Sequence, residues 1–118
     1  MARVLVVDDD PAVLEVLVGG LVALGHQVQA AMDGEHAREI LAGGDIKVLV
    51  TDLQMPRMDG LALLAYVRDR ESPIPVILVS GSWTDDQRRR ARELGAARVY
   101  AKPVDLAQLA RDVEEVAR

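Results

Sequence analysis

Five residues with reactive or charged side chains follow directly after short apolar runs of the sequence: Asp8, Asp9, Asp52, Ser80 and Lys102. Carboxylates that lie within a few ångströms of one another cannot all be ionised unless a cation compensates their charge. Mg²⁺ suits such a group, because it prefers oxygen ligands and binds one or two carboxylates together with water and phosphate oxygens. Carboxylates, a hydroxyl and an ammonium group are together suited to phosphoryl transfer. One of the carboxylates could itself accept the phosphoryl group.

The sequence argues against several other kinds of site. The chain has no cysteine, and His26 and His36 lie away from the ends of the apolar runs, so a zinc site is not expected. A glycine-rich P-loop and a GxGxxG turn are both missing from the sequence, so a nucleotide site is not indicated. We expect Asp10, which precedes Pro11, to cap a helix and the two histidines to be solvated residues beside helices.

The apolar runs alternate five times with segments of helical periodicity. The predicted strands are Val4–Val7, Val28–Ala31, Val48–Thr51, Val76–Val79 and Val99–Ala101. The predicted helix starts are Asp10, Asp33, Asp59, Thr84 with Gln87 as a capping box, and Asp105. This alternation predicts an α/β fold of the (βα)5 type with a parallel sheet.

The composition of the strands predicts their order in the sheet. The first, third and fourth strands are continuous runs of Val, Leu and Ile, as expected for strands covered on both faces. The second and fifth alternate with polar residues and suit the edges. Right-handed crossovers then favour a flavodoxin-like, doubly wound sheet with the order 2-1-3-4-5. In such a sheet ligands bind beyond the carboxyl ends of the strands, which is where the five polar residues would converge.

Composition limits the domain count and the classes of partner. A chain of 118 residues corresponds to one domain, residues 1–118. The net charge is −5, and the first half carries ten acidic and four basic residues, so direct binding to nucleic acid is not expected. Three aromatic residues are too few for base stacking. The apolar stretches are too short to span a bilayer, and strand-like sequence begins at Arg3, so we expect a soluble, cytoplasmic domain without membrane contact.

Four motifs along the chain resemble those of the response-regulator receiver family of bacterial two-component signalling, which includes chemotaxis receivers. They are VLVVDDD at 4–10, VLVTDLQMPRMDG at 48–60, VILVSG at 76–81 and AKP at 101–103. Together with the (βα)5 pattern they cover essentially the whole chain.

The resemblance implies a phosphoacceptor and a metal site. Asp52 matches the aspartate that accepts a phosphoryl group from a sensor histidine kinase or a phosphotransfer protein. Asp8 and Asp9 match the acidic pair that holds Mg²⁺ together with Asp52, and the backbone carbonyl of Gln54 matches the remaining protein ligand. Pro56 and Gly60 match residues that shape the loop after the acceptor.

The resemblance also implies how the signal leaves the site. Ser80 matches a hydroxyl residue that turns toward the phosphoryl group, and Lys102 matches a lysine that pairs with it, often before a cis proline. Many receivers carry an aromatic switch three residues before that lysine, where this chain has Val99. Tyr100 follows Val99 and points to the opposite face if the strand is regular, which places an aromatic switch in doubt.

The function implied is that of a phosphorylation-dependent signalling switch, not an enzyme that acts on an external substrate. Phosphorylation would change the surface formed by helix 4, strand 5 and helix 5. Three questions stay open: what the downstream output or target is, whether phosphorylation is linked to a homodimer, and whether the chain is a stand-alone protein or an excised domain. We expect Trp83, just before the fourth helix, to be a packing residue rather than an exposed interface anchor.

Two other functions stay open from the sequence. Haloacid-dehalogenase-like phosphatases use an Asp-x-Asp motif after strand 1, which Asp8 and Asp10 imitate, although Ala12 stands where Thr or Val is expected. A receiver that is never phosphorylated and acts as a constitutive binding domain is the other alternative.

Overall fold

The computed structural model describes residues 3–55 and 58–118 and contains five strands that alternate with five helices. In chain order the elements are β1 (Arg3–Val7), α1 (Pro11–Ala23), β2 (Gln27–Ala31), α2 (Gly34–Ala42), β3 (Val48–Asp52), α3 (Gly60–Asp69), β4 (Val76–Ser80), α4 (Asp85–Glu93), β5 (Arg98–Ala101) and α5 (Leu106–Val116). The predicted (βα)5 alternation is confirmed, and each observed strand agrees with its predicted range to within one residue at either end.

The strands form one parallel sheet in the order β2-β1-β3-β4-β5, as predicted. In the register, Val4 pairs with Val28 of β2 on one side and with Val48 of β3 on the other. All residues of β3 and β4 are buried, whereas β2 buries Ala31 alone and β5 alternates between half-buried and exposed positions. The apolar central strands and the polar edge strands therefore occupy the places that their sequences predict.

The sheet separates two apolar cores. Alternate side chains of the central strands point to opposite faces, so Leu5 and Leu49 pack on one side, while Val6 and Val50 pack on the other. We call the first side the α2–α3–α4 core and the second the α1–α5 core, after the helices that cover them.

The helices begin where the sequence predicts. Each predicted cap side chain accepts a hydrogen bond from a backbone N–H of the first turn; the caps are Asp10, Asp33, Asp59, Thr84 and Asp105. The capping box of Thr84 and Gln87 is present in both directions. Among the described residues, no helix has the length and apolar character that crossing a bilayer requires.

One prediction about a histidine is wrong. His26, expected to be solvated, is 5% exposed, and its Nε2 lies 3.6 Å from Oε2 of Glu114 on α5. The chain turns at Gly25, whose φ is +98°, and His26 then lines a cavity together with residues of α5. His36 is exposed, as predicted.

The start of α3 packs so closely on the end of β3 that residue 60 has no room for a side chain. A Cβ on Gly60 would lie 2.6 Å from the carbonyl oxygen of Asp52 and 3.0 Å from Cα of Leu53. Both are backbone atoms that cannot yield without moving the strand. We expect Gly60→Ala to lower the free energy of unfolding by about 2 kcal/mol, measured by urea titration.

Gly19 is the matched control, because a Cβ there would meet nothing within 4 Å. It lies within α1, where alanine is favoured over glycine, so Gly19→Ala should raise the free energy of unfolding by roughly 0.5–1 kcal/mol. If both substitutions changed the free energy of unfolding in the same direction, close packing would not be what excludes a side chain at residue 60.

Candidate phosphoryl-acceptor and metal site

The fold brings the predicted site residues to one edge of the sheet. Asp8 and Asp9 follow β1, Asp52 and Ser80 are the last residues of β3 and β4, and Lys102 follows β5. Because the strands are parallel, all five residues lie at their carboxyl ends.

Three of these residues form a cluster of carboxylates. One oxygen from each of Asp8, Asp9 and Asp52 lies within 4.8 Å of the others. Asp8 is 1% and Asp52 6% exposed, whereas Asp9 faces solvent. The side chain of Asp10 is not part of this group; it accepts a hydrogen bond from the N–H of Ala12 at the start of α1, as predicted.

Lys102 supplies positive charge to this cluster. Its Nζ lies 3.1 Å from Oδ2 of Asp8 and 3.5 Å from Oδ2 of Asp52. Burial alone would lower the pKa of Lys102, but the hydrogen bond to Asp8 and the charge of Asp52 together raise it above its usual value. The ammonium group is therefore charged at neutral pH. The peptide bond between Lys102 and Pro103 is cis, in agreement with the resemblance.

The Asp52 carboxyl holds its proton more tightly than a solvated aspartate. Burial and, second, the negative charge of Asp8 raise its pKa above 3.8. Lys102 and a hydrogen bond from the backbone of Gln54 act in the opposite direction and favour the ionised form. The ionised carboxylate of Asp52 is thus destabilised, and it lies beside a cation. In this environment an additional cation, or a covalent change at the carboxylate, has a large electrostatic effect.

The Ser80 hydroxyl is engaged with its own loop. Ser80 is fully buried, and its Oγ donates a hydrogen bond to the carbonyl oxygen of Ser82 at 3.0 Å and accepts one from the Ser82 N–H at 3.1 Å. Ser80 thus lies at the predicted edge of the sheet, with its hydroxyl hydrogen-bonded to the backbone of Ser82.

Two contacts beside the site were not predicted from the sequence. Nε2 of Gln54 donates a hydrogen bond to Oγ of Ser82 at 2.8 Å, and the indole N–H of Trp83 donates one to the carbonyl of Tyr100 at 2.8 Å. Each hydrogen bond joins a loop to a residue at least 17 positions away in the chain, so no local sequence pattern predicts it. Pro56, implied by the resemblance to shape this region, lies outside the described residues.

The aromatic residue of β5 points away from α4, as the alternation predicts. Tyr100 packs against the α1–α5 core and its hydroxyl donates a hydrogen bond to the carboxylate of Asp112. Burial and this carboxylate raise the pKa of Tyr100 above its usual value. Val99 is 40% exposed. The expected packing role of Trp83 is confirmed, since its half-buried ring packs against the α2–α3–α4 core.

The donor atoms fit a hard divalent cation. Within the described residues three carboxylates face the ammonium group of Lys102, so the cluster carries excess negative charge that a divalent ion would compensate. All three offer oxygen, which Mg²⁺ prefers over nitrogen or sulfur ligands. Two of the three are almost fully buried, where an uncompensated charge is most costly.

Comparison with known proteins gives one consistent family. The family model described as "Response regulator receiver domain" matches residues 4–114. The chain is 41% identical to a protein-glutamate methylesterase/protein-glutamine glutaminase 2 of Burkholderia thailandensis, over 100% of this chain and 36% of that protein. It is 35% identical to the transcriptional regulatory protein PrrA of Mycobacterium tuberculosis, over 98% of this chain and 50% of that protein. The chain thus spans half or less of the length of these two relatives.

A solved structure shows the same fold. The receiver domain of the Francisella response regulator 1452 superimposes with a TM-score of 0.93 at 26% identity, covering 99% of this chain and 97% of that domain.

Proposed function

This chain belongs to the response regulator receiver family, and from that premise we propose that residues 1–118 form a single receiver domain that is phosphorylated on Asp52. The donor would be a sensor histidine kinase or a phosphotransfer protein. The observation that carries the proposal is the position of Lys102, whose ammonium group contacts both Asp8 and Asp52 within a cluster of three carboxylates.

In the proposed reaction a carboxylate oxygen of Asp52 attacks the phosphorus of the donor's phosphohistidine. An O–P bond forms, the N–P bond breaks, and the imidazole leaves with its electron pair and takes up a proton. The raised pKa of Asp52 reflects a carboxylate that is poorly stabilised as an anion. Lys102 keeps Asp52 ionised and oriented before the transfer, and it would pair with the phosphoryl oxygens afterwards.

The carboxylates of Asp8, Asp9 and Asp52 and the backbone carbonyl of Gln54 would hold Mg²⁺. When bound, the ion supplies positive charge that compensates the phosphoryl oxygens. The ammonium group of Lys102 supplies the second positive charge, and the Ser80 hydroxyl would donate a hydrogen bond to a third oxygen.

Phosphorylation would add roughly −1.5 to −2 charges to the carboxyl edge of the sheet. We propose that Ser80 then leaves Ser82 and that the surface formed by α4, β5 and α5 changes as a result. The domain would be a signalling module that assists its own phosphorylation and dephosphorylation and has no external substrate.

The phosphatase alternative loses support from the structure. It needs Asp8 and Asp10 to act as a pair, but the side chain of Asp10 caps α1 and is not part of the carboxylate cluster. The constitutive binding domain is disfavoured because Lys102, Asp8 and Asp52 are in contact as the reaction requires.

The test is the mass of the intact protein after incubation with acetyl phosphate and Mg²⁺. We expect one phosphoryl group on the wild type, none when the metal is chelated, and none on Asp52→Asn. Asp45→Asn, a change of an exposed aspartate that lies near Arg3, is the matched control and should be labelled like the wild type.

Three outcomes would contradict the proposal. Labelling of Asp52→Asn would overturn the acceptor assignment. Hydrolysis of an added phosphate ester that is lost on changing Asp8 but kept on changing Asp52 would favour the phosphatase. A wild type that takes up neither the phosphoryl group nor Mg²⁺ would favour the binding domain.

A further inference from the structure

Helix α4 is held to the protein by very little apolar packing. Of its nine residues, all of which the structure describes, one is buried, Ala91. By contrast α3 buries five residues and α5 four. An element with so little buried area depends on the contacts at its two ends for its position.

The C-terminal end of α4 is held by Arg68 of α3. Nε of Arg68 donates a hydrogen bond to the carbonyl of Leu94 at 3.0 Å, and Nη2 donates one to the carbonyl of Gly95 at 3.0 Å. Nη1 of the same guanidinium contacts the carbonyls of Ser72 and Ile74 before β4. This end of the helix is therefore tied to the body of the domain.

The N-terminal end of α4 is held by Trp83, the residue before its N-cap. The indole N–H donates to the carbonyl oxygen of Tyr100 at 2.8 Å, and the guanidinium carbon of Arg88 lies 5.2 Å from the ring centroid. Tyr100 is itself fixed by its hydrogen bond to Asp112 on the other side of the sheet. Trp83 thus connects the helix to a fixed point on β5.

The same loop is connected to the proposed phosphorylation site. Ser80 makes two hydrogen bonds to the backbone of Ser82, which is adjacent to Trp83. A Ser80 hydroxyl that turned toward a phosphoryl group on Asp52 would give up both of these bonds. The backbone that positions the indole would then lose these two contacts, leaving the hydrogen bond from Gln54 to the side chain of Ser82.

We propose that Trp83 is a positioning residue that holds the N-terminal end of α4 against β5 before phosphorylation and releases it afterwards. The helix then swings about its C-terminal end, which Arg68 keeps in place. This inference rests on the proposed function, because phosphorylation of Asp52 is the event that withdraws Ser80. In this proposal a loop tryptophan couples the phosphorylation site to α4. Neither Val99 nor the inward-facing Tyr100 of β5 is placed to provide this coupling.

Trp83 can be observed directly, since it is the single tryptophan of the chain. The whole protein is treated with acetyl phosphate and Mg²⁺, its mass is recorded, and its fluorescence is measured on the same sample. We expect the emission maximum to shift to longer wavelength and acrylamide quenching to increase in the phosphorylated sample. Asp52→Asn under the same conditions should show neither change.

Hydrogen–deuterium exchange of Trp83→Phe tests the coupling without using the indole as the probe. The variant keeps an aromatic ring in the core but lacks the N–H donor. Before phosphorylation, amides in residues 82–90 should exchange about five-fold faster than in the wild type, the factor expected for one lost hydrogen bond. Residues 94–97, beside Arg68, should not change, and phosphorylation should add little further exchange in 82–90.

Tyr66→Phe is the matched control. It removes a hydroxyl that accepts a hydrogen bond from Arg70, on an aromatic ring that packs against the same core. This variant should show wild-type exchange in residues 82–90 and the full increase on phosphorylation.

The outcomes separate the two proposals. A sample that carries the phosphoryl group and shows unchanged fluorescence and exchange would overturn the role of Trp83 and leave the proposed function intact. Faster exchange in Trp83→Phe that still rises on phosphorylation as in the wild type would show a merely structural role and would also overturn it. A wild type that takes up no phosphoryl group would contradict the proposed function, and the inference would fail with it.

Discussion

Replacing Arg68 by lysine is expected to lower the free energy of unfolding by about 3 kcal/mol. The guanidinium of Arg68 donates hydrogen bonds to four backbone carbonyls, those of Ser72, Ile74, Leu94 and Gly95. Lysine keeps the charge, but its three donors radiate from one atom and cannot reproduce the planar fork of arginine. Several of the backbone carbonyls that follow α3 and α4 would therefore lose their hydrogen-bond donor.

The effect is measured by urea titration, with Arg92→Lys as the matched control. Arg92 lies on the exposed face of α4, so this control should change the free energy of unfolding by less than about 0.5 kcal/mol. A loss of similar size in both variants would show that the geometry of the Arg68 fork does not matter. Exchange at residues 94–97 should increase in Arg68→Lys, because this is the end of α4 that the fork holds.

Removing the lysine of the site should have the second large effect. We expect Lys102→Met to lower the free energy of unfolding by about 2 kcal/mol at pH 7 without Mg²⁺, because it leaves two buried carboxylates without their cation. Lys102 makes contacts of 3.1 and 3.5 Å with Asp8 and Asp52, and its side chain is 25% exposed, so solvent moderates the loss.

The pH dependence of this loss has a definite sign. The pKa of Asp52 is raised in the folded protein, so the folded state binds the proton more tightly than the unfolded state. Stability therefore falls as the pH rises from about 3.8 through the folded pKa of Asp52. Without Lys102 that pKa rises further, so the fall should be larger in Lys102→Met and extend to higher pH. The stability that Lys102 contributes through its own raised pKa is present at neutral pH and is lost only at alkaline pH.

Urea titrations from pH 4 to pH 8 measure this effect. The double variant Lys102→Met/Asp52→Asn is the control, because it removes the carboxylate together with its cation and should recover much of the loss. Mg²⁺ should stabilise Lys102→Met if the carboxylates bind it. A Lys102→Met variant whose stability is independent of pH in this range would contradict the electrostatic account.

The sequence predicts those parts of the molecule that depend on local patterns. The caps at Asp59 and Thr84 need only the residues that follow them, and the strand order follows from which strands are apolar throughout. The convergence of Asp8, Asp52 and Lys102 follows from one topological rule applied to three strand ends.

The contacts that escaped prediction depend on how distant elements pack. The burial of His26 requires α5 to lie beside α1, and the role of Arg68 requires the turn after α4 to approach α3. The bond between Trp83 and the carbonyl of Tyr100 involves a backbone acceptor, which every residue possesses and no motif marks. The resemblance implied the residues of the site, but the engagement of Ser80 with Ser82 is a property of the folded loop.

The two cores on opposite faces of the sheet have a consequence for how this domain tolerates change. Leu63 belongs to the α2–α3–α4 core and Leu17 to the α1–α5 core, with the sheet between them. Residues that share no contacts usually contribute independently, so energetic effects of substitutions on the two faces should add. One face can then diversify in sequence while the other stays constant, and partners that dock on opposite faces need not compete for the same side chains.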